Sequence, residues 1–345
     1  LGKSDLEVSS YCLGTMTFGE TTSQTEAHQQ ISESIDAGIN FIDTAEMYPT
    51  CPIREETSGQ TEKIIGNWIN NNKDKRKNII LATKVVGNGF KFIRDGGTIN
   101  KNSILRAVEA SLKRLKTDYI DLYQLHWPNR GSYHFRKFWS YNPQFSSPSL
   151  VEDDIREQLF TLQKLKTEGK IRYIGLSNET CWGATKYLNL IKEYNNLIIA
   201  SIQNEYNLMC RLYDTDLNEF SIYENVPLIA YSPLARGLLT GKYQNKNIPI
   251  NSRLSRDGQN LLNEILNNRS INAVAEYINL AQEYSLNPIH LALSFCVQRP
   301  FMGSVIFGAT SLDQLRVILK GTEIKLSDEI IKKIDVINKK FPLTF

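Results

Sequence analysis

The sequence predicts an α/β chain of the (β/α)8 TIM-barrel class, with large loops after the fourth and seventh strands. Three observations carry this. Eight short apolar, β-rich segments alternate with longer stretches of helical period, the pattern of βα units around a parallel sheet. The length of 345 residues suits a barrel of eight such units with insertions. No Gly-, Pro- or Ser-rich linker divides the chain, so residues 1–345 are read as one domain.

The elements follow in order. The first strand lies near VSSYCLG, and helix-patterned TEAHQQISESIDAG then stops at Gly38 before strand INFID. Helix GQTEKIIGNWINN precedes strand NIILATKV. Helix NSILRAVEASLKRL, with Ile104, Val108, Leu112 and Leu115 on one face, precedes strand YIDLYQLH. EDDIREQLFTLQKLKTEG leads to strand IRYIGLSN, and TCWGATKYLNLIKEY to IIASIQNEY. The last two strands are VPLIAYS and GSVIFG, separated by a long loop and helix INAVAEYINLAQEY. Two insertions exceed ordinary βα loops: residues 129–149, bearing Tyr133, Phe135, Phe138, Trp139, Tyr141 and Phe145, and residues 232–270. Both belong at the C-terminal face of a barrel, where active sites are built. The aromatic loop is either a substrate lid or packing on its own scaffold.

Composition narrows the function. The net charge of +3 is dispersed, which leaves no electrostatic footprint for nucleic acid or a membrane surface. No apolar run approaches the ~20 residues that span a bilayer, and LGKSDLEVSS lacks the sections of a signal peptide. Cys12, Cys51, Cys181, Cys210 and Cys296 show no CxxC spacing, which suits reduced thiols and a cytoplasmic protein without a metal site. Nothing in the pattern sets an oligomeric state.

Chemistry concentrates at strand ends. INFID, ILATK and LYQLH each bring a polar group, Asp43, Lys84 or His126, to the end of an apolar strand, and Tyr48 follows in the next loop. Singly, each has an ordinary reading as a cap, a snorkelling lysine, a core histidine or a rim aromatic. Together they form a proton-transfer set. A phenol is a poor acid at neutral pH, and an adjacent ammonium is expected to stabilise the phenolate and lower its pKa. Asp43 would hold Lys84 charged, while a neutral His126 would orient a substrate oxygen. Such a site protonates a carbonyl oxygen as its carbon becomes tetrahedral. No GxGxxG follows a strand, so a dinucleotide has to bind the barrel mouth instead of a Rossmann domain.

FIDTAEMY, ILATK and LYQLHWP resemble the catalytic segments of the aldo-keto reductases. GKIRYIGLSN, AYSPLARGLLTGKY and VIFGATSLDQL are similar to that family's cofactor-binding segments, in the same order. Through LGTMTFGE, AEMYP, TDYIDLYQLHWP and GKIRYIGLSNET, the resemblance is closest to bacterial reductases of the Tas type, and it covers essentially the whole chain. It implies NADPH-dependent reduction of a small carbonyl compound, with Tyr48 as acid, Lys84 and Asp43 tuning it, and His126 orienting the substrate.

For the cofactor, the resemblance assigns Ser177, Asn178 and Gln203 to the carboxamide and Tyr231 to the nicotinamide face. Gly14, Thr15 and Met16 line that pocket or form an ordinary turn. Ser232, Pro233, Leu234, Arg236, Gly237 and Lys242 wrap the pyrophosphate. Gly308 and Thr310 open a helix suited to phosphate, and Gln314 meets adenine. Ile318 stands where the family often has Asn. Thr310 stands where many relatives carry a base for the 2′-phosphate, a lack that Arg253 or Arg316 could offset. Trp127 and Met47 are assigned to the substrate pocket, with packing as the alternative for each. The resemblance also implies a β-hairpin closing the N-terminal end of the barrel, of which this sequence is expected to lack the first residues.

Two rivals differ in class. One is a cofactor-binding regulatory or redox-sensor protein with slow turnover, as in channel β-subunits of the same superfamily. The other is a metal-dependent lyase, which calls for carboxylates at several strand ends where the sequence has only Asp43.

Overall fold

A computed structural model describes residues 1–50, 52–143, 147–256 and 265–344. Cys51, Phe145 and part of the second insertion therefore lie outside the described residues. The strands are β1 (Tyr11–Gly14), β2 (Phe41–Asp43), β3 (Ile80–Val85), β4 (Ile120–Leu125), β5 (Ile171–Ser177), β6 (Ile199–Glu205), β7 (Leu228–Tyr231) and β8 (Met302–Phe307). They pair in parallel, in chain order, and close through β1 and β8. The predicted barrel is the observed one.

Helices pack outside. They are α1 (Gln24–Asp36), α2 (Gln60–Asn71), α3 (Lys101–Leu115), α4 (Pro148–Thr167), α5 (Cys181–Leu190), α6 (Asp216–Glu224), α7 (Asn268–Glu283), α8 (Pro288–Val297), α9 (Leu312–Leu319) and α10 (Asp328–Lys340). Local chemistry sets their ends. Ser23 caps α1 by accepting the Glu26 N–H, Gly38 follows it with φ +82°, and Asn100 and Ser103 close a capping box on α3. The sequence reading omitted α6, α8 and α10. In α6 the run DLNEFSIYE buries Leu217, Phe220 and Ser221 without a continuous apolar stripe. For α8 and α10 usable signals exist: Asn287 caps α8 with Pro288 in its first turn, and Ser327 caps α10 ahead of Asp328 and Glu329.

The period of the strands divides the core in two. Leu13, Ile42, Leu81, Val85, Tyr123, Leu125 and Phe307 face the helices in one large cluster. Cys12, Phe41, Ala82, Leu122, Ala200, Ile229 and Ile306 fill the barrel, and Leu6 joins them. The segment before β1 has no strand among its residues, so the implied hairpin is not seen there, and the buried Leu6 packs with the barrel's interior cluster. No helix among the described residues is long and apolar enough to cross a membrane.

Candidate active site

Two residues beyond the apolar layer, four of the strands present a polar group on the same inward face. Phe41 is followed by Asp43, Ala82 by Lys84, Leu122 by Gln124 and Ile229 by Tyr231. Strand register aligns them, with Asp43 beside Ala82 and Lys84 beside Gln124. The ammonium of Lys84 donates to Asp43 Oδ2 at 2.6 Å and to the Thr44 carbonyl at 2.8 Å. The other carboxylate oxygen of Asp43 accepts from Gln124 Nε2 at 3.0 Å and Gln203 Nε2 at 2.8 Å. Lys84 is 0% and Asp43 2% exposed, so this is a buried ion pair with both carboxylate oxygens bonded.

The loop carrying Tyr48 is built, not loose. Thr44 N–H and Glu46 N–H continue the parallel pairing onto the Ala82 and Lys84 carbonyls, past the end of β2. The Glu46 carboxylate accepts from the Val86 N–H and from both Arg94 terminal nitrogens, each at 2.6 Å. The Tyr48 carbonyl then accepts from Gly59 and Thr61 at the start of α2. These bonds set the phenol above the ion pair. Lys84 Nζ lies 5.0 Å from the Tyr48 ring centroid, and the Tyr48 and His126 rings meet edge-on at 5.9 Å.

The electrostatics differ from the sequence expectation in one respect. Burial raises the Tyr48 pKa, and although Lys84 pulls it down, the net value stays above the ordinary phenol. At neutral pH the phenol therefore holds its proton. Burial also opposes the charge on Lys84, but Asp43 and Tyr48 outweigh it and leave the lysine pKa raised. His126 is pushed well below the usual imidazole value by burial and by Lys84, so it is neutral at pH 7.

The residues expected at the cofactor adjoin this set. Asn178, at φ +52°, donates to the His126 carbonyl at 2.9 Å and accepts from the Tyr231 hydroxyl at 2.8 Å. Ser177 donates to the Gln203 carbonyl at 3.0 Å. Thr15 donates to the Asp43 carbonyl, and Gly14 is required by space, since a Cβ there would lie 2.6 Å from Ile306 Cγ2. Met16 is partly exposed beside them. After β7, Ser232, Ala235, Arg236 and Gly237 have positive φ and curl the backbone tightly, with Leu234 accepting from the Gly237 N–H and Pro233 buried. Lys242 folds back over Gly237, where a Cβ would lie 2.9 Å from its Cε. Burial raises the pKa of both Tyr231 and Tyr48, and Arg236 and Arg253, respectively, only partly offset it.

The expected phosphate seat is already engaged. At the start of α9 the Leu312 N–H donates to Glu26 Oε1 at 3.1 Å, and Arg316 is held by Glu33 at 2.7 and 3.0 Å. Gln314 Oε1 accepts from both the N–H and the hydroxyl of Thr310, so it caps its own turn. Gly308 is exposed, and a Cβ added there would meet the Gly14 carbonyl at an ordinary contact distance of 3.7 Å.

On the substrate side, Met47 is 4% exposed and packs with Ala45 and Val86 against Tyr48, Phe90 and Trp127. Trp127 meets Phe90 at 6.1 Å and Phe135 at 5.9 Å, both edge-on. The first insertion is anchored: Arg130 pairs with Glu179, Arg136 with Glu205 at 3.2 Å, and His134 Nε2 lies 3.0 Å from the Glu179 carbonyl. Phe135 and Trp139 remain 48% and 73% exposed.

Sequence reading missed Gln124 and the Glu46–Arg94 staple. The signal for Gln124 was a polar residue at an inward position of an otherwise apolar strand. No group of three or more His, Cys, Asp or Glu residues able to hold a metal occurs among the described residues.

The profile of the aldo/keto reductase family matches residues 11–339. The chain belongs to this family. As a member it is an NAD(P)H-dependent oxidoreductase. The protein named Tas from Escherichia coli is 40% identical over 339 residues, covering 97% of this chain and 96% of its own length. An uncharacterized oxidoreductase, YrpG, from Bacillus subtilis is 30% identical over 97% of this chain and 94% of its own. A probable voltage-gated potassium channel subunit beta from Arabidopsis thaliana is 30% identical over 99% of this chain and 96% of its own. The mouth fits the family's nicotinamide cofactor. The partly exposed Tyr231 ring offers a flat surface, Gly308 allows close approach, and Lys242 over Gly237 supplies a cation.

Proposed function

We propose that the protein reduces aldehydes or ketones to alcohols with NADPH, using Tyr48 as the proton donor. The observation that carries this reading is the Tyr48 ring set 5.0 Å from Lys84 Nζ of the buried Asp43–Lys84 pair and edge-on to His126. When bound, the reduced nicotinamide supplies the hydride. Tyr48 gives its proton to the carbonyl oxygen as that carbon becomes tetrahedral, and Lys84 stabilises the phenolate left behind. His126 Nδ1 is buried without a partner among the described residues. Orphaned donors are disfavoured more than orphaned acceptors, so the ring hydrogen belongs on Nε2, free to donate to the substrate oxygen.

Trp127, Phe90 and Phe135 favour substrates with apolar or aromatic groups. The reduced thiols of Cys12, Cys181, Cys210 and Cys296 support a cytosolic setting. A panel of aromatic and aliphatic aldehydes, followed by NADPH absorbance, tests the reading. Substrate-dependent oxidation is expected. Slow oxidation indifferent to substrate, with tight cofactor binding, would favour the redox-sensor alternative.

Glu26 and Glu33 bear on the choice of nucleotide, because a 2′-phosphate at α9 has to compete with both carboxylates. Removing the charge with Glu26→Gln, while keeping an acceptor for Leu312, is expected to tighten NADPH roughly three- to fivefold and leave NADH unchanged. Fluorescence quenching by each nucleotide measures this. An unchanged ratio would place the phosphate elsewhere.

A further inference from the structure

We propose that Gln124 is a positioning residue for proton transfer: it holds the Asp43 carboxylate so that Lys84 keeps its field on Tyr48, and it ties that pair to Gln203 on the cofactor side. The inference rests on the reading of Tyr48 as proton donor.

Gln124 is wholly buried on β4, two residues before His126. Its Nε2 donates to Asp43 Oδ1 at 3.0 Å, and its Oε1 accepts from Gln203 Nε2 at 3.1 Å. Gln203 Nε2 also reaches Asp43 Oδ1, at 2.8 Å, so three side chains close a ring of hydrogen bonds. An ionised carboxylate only accepts, which dictates that both amide NH2 ends face it.

The fold makes room for this carboxamide. Gly175 is the register partner of Gln124 on β5, and a Cβ there would lie 3.1 Å from Gln124 Cγ and 3.2 Å from Ser201 Oγ. Filling space alone would not call for an amide, because the layer beneath is apolar, with Leu122 and Ile229. A buried amide is costly unless its hydrogen bonds are used.

Here they act on the distribution of charge. Each donor to Oδ1 draws on the negative charge of Asp43, leaving less of it to neutralise Lys84. Without Gln124, Asp43 binds the ammonium more strongly, the phenolate of Tyr48 is less stabilised, and the phenol becomes a weaker acid. Gln203 loses one of its two acceptors in the same step and keeps only Asp43 Oδ1.

The test compares pH profiles of kcat for carbonyl reduction at saturating NADPH in wild type, Gln124→Met, Gln124→Leu and Gln124→Glu, with Tyr48→Phe alongside. Met matches the length of Gln without its hydrogen bonds, and Leu serves if Met does not fold. Reduction needs a protonated phenol, so activity falls as pH rises through the Tyr48 pKa. The apolar variants are expected to move this basic limb upward by about one pH unit and to lower kcat at neutral pH about tenfold. Gln124→Glu, whose protonated carboxyl can again donate to Asp43, is expected to recover part of that loss. A uniform fall in kcat with an unmoved limb would show a merely structural role and overturn the proposal. Full activity in Tyr48→Phe would overturn it together with the Tyr48 reading.

Discussion

Lys84→Met is expected to abolish carbonyl reduction and to lower folding stability by about 3–5 kcal/mol, the usual consequence of leaving one member of a buried pair without its partner. Asp43, only 2% exposed, would lose the donor at Oδ2 and keep only the two amides at Oδ1. Urea denaturation of variant and wild type measures the loss. Adding Asn at position 43 removes the stranded charge, so Asp43→Asn with Lys84→Met should regain part of the stability and none of the activity. The pH dependence has a defined sign. The folded pKa of Lys84 is raised above its ordinary 10.5, so the pair's contribution is fully present at neutral pH and is lost only as pH climbs through that raised value. Unchanged stability in Lys84→Met would mean that the pair does not hold the barrel mouth together.

Tyr48→Phe has the opposite profile. The ring stays, keeping its edge contact with His126 and its packing beside Met47 and Trp127, so stability is expected to shift by no more than about 1 kcal/mol. Turnover should fall about a hundred- to ten-thousandfold, because the positioned acid is gone while the hydride source remains. The raised pKa of Tyr48 makes the role asymmetric. The phenol holds its proton at neutral pH, and Lys84 works against the cost of releasing it.

The parts of this site that were legible in the sequence share a cause. Asp43, Lys84 and His126 each interrupt an apolar strand at its end, and the barrel brings strand ends to one rim, so a one-dimensional pattern becomes a cluster. Gln124 holds the same penultimate place in β4 as its register partner Lys84 in β3, but as an uncharged amide it reads there as an ordinary polar residue. Its meaning depends on Asp43 and Gln203, 81 and 79 residues away. The engagement of α9 was still less accessible, because Glu26 and Glu33 reach it from α1 across 286 and 283 residues. The expected lowering of the phenol pKa considered the neighbouring ammonium and left out desolvation, which the enclosed site makes the larger effect.

The central claim is that Tyr48 delivers the proton, and single-turnover oxidation of bound NADPH by an aromatic aldehyde tests it most directly. Wild type and Tyr48→Phe are compared after fluorescence quenching has shown equal cofactor occupancy. A hundredfold or greater loss of rate (about 2.7 kcal/mol or more) in a folded, NADPH-loaded Tyr48→Phe protein is the predicted result. An undiminished rate in that variant would contradict the account.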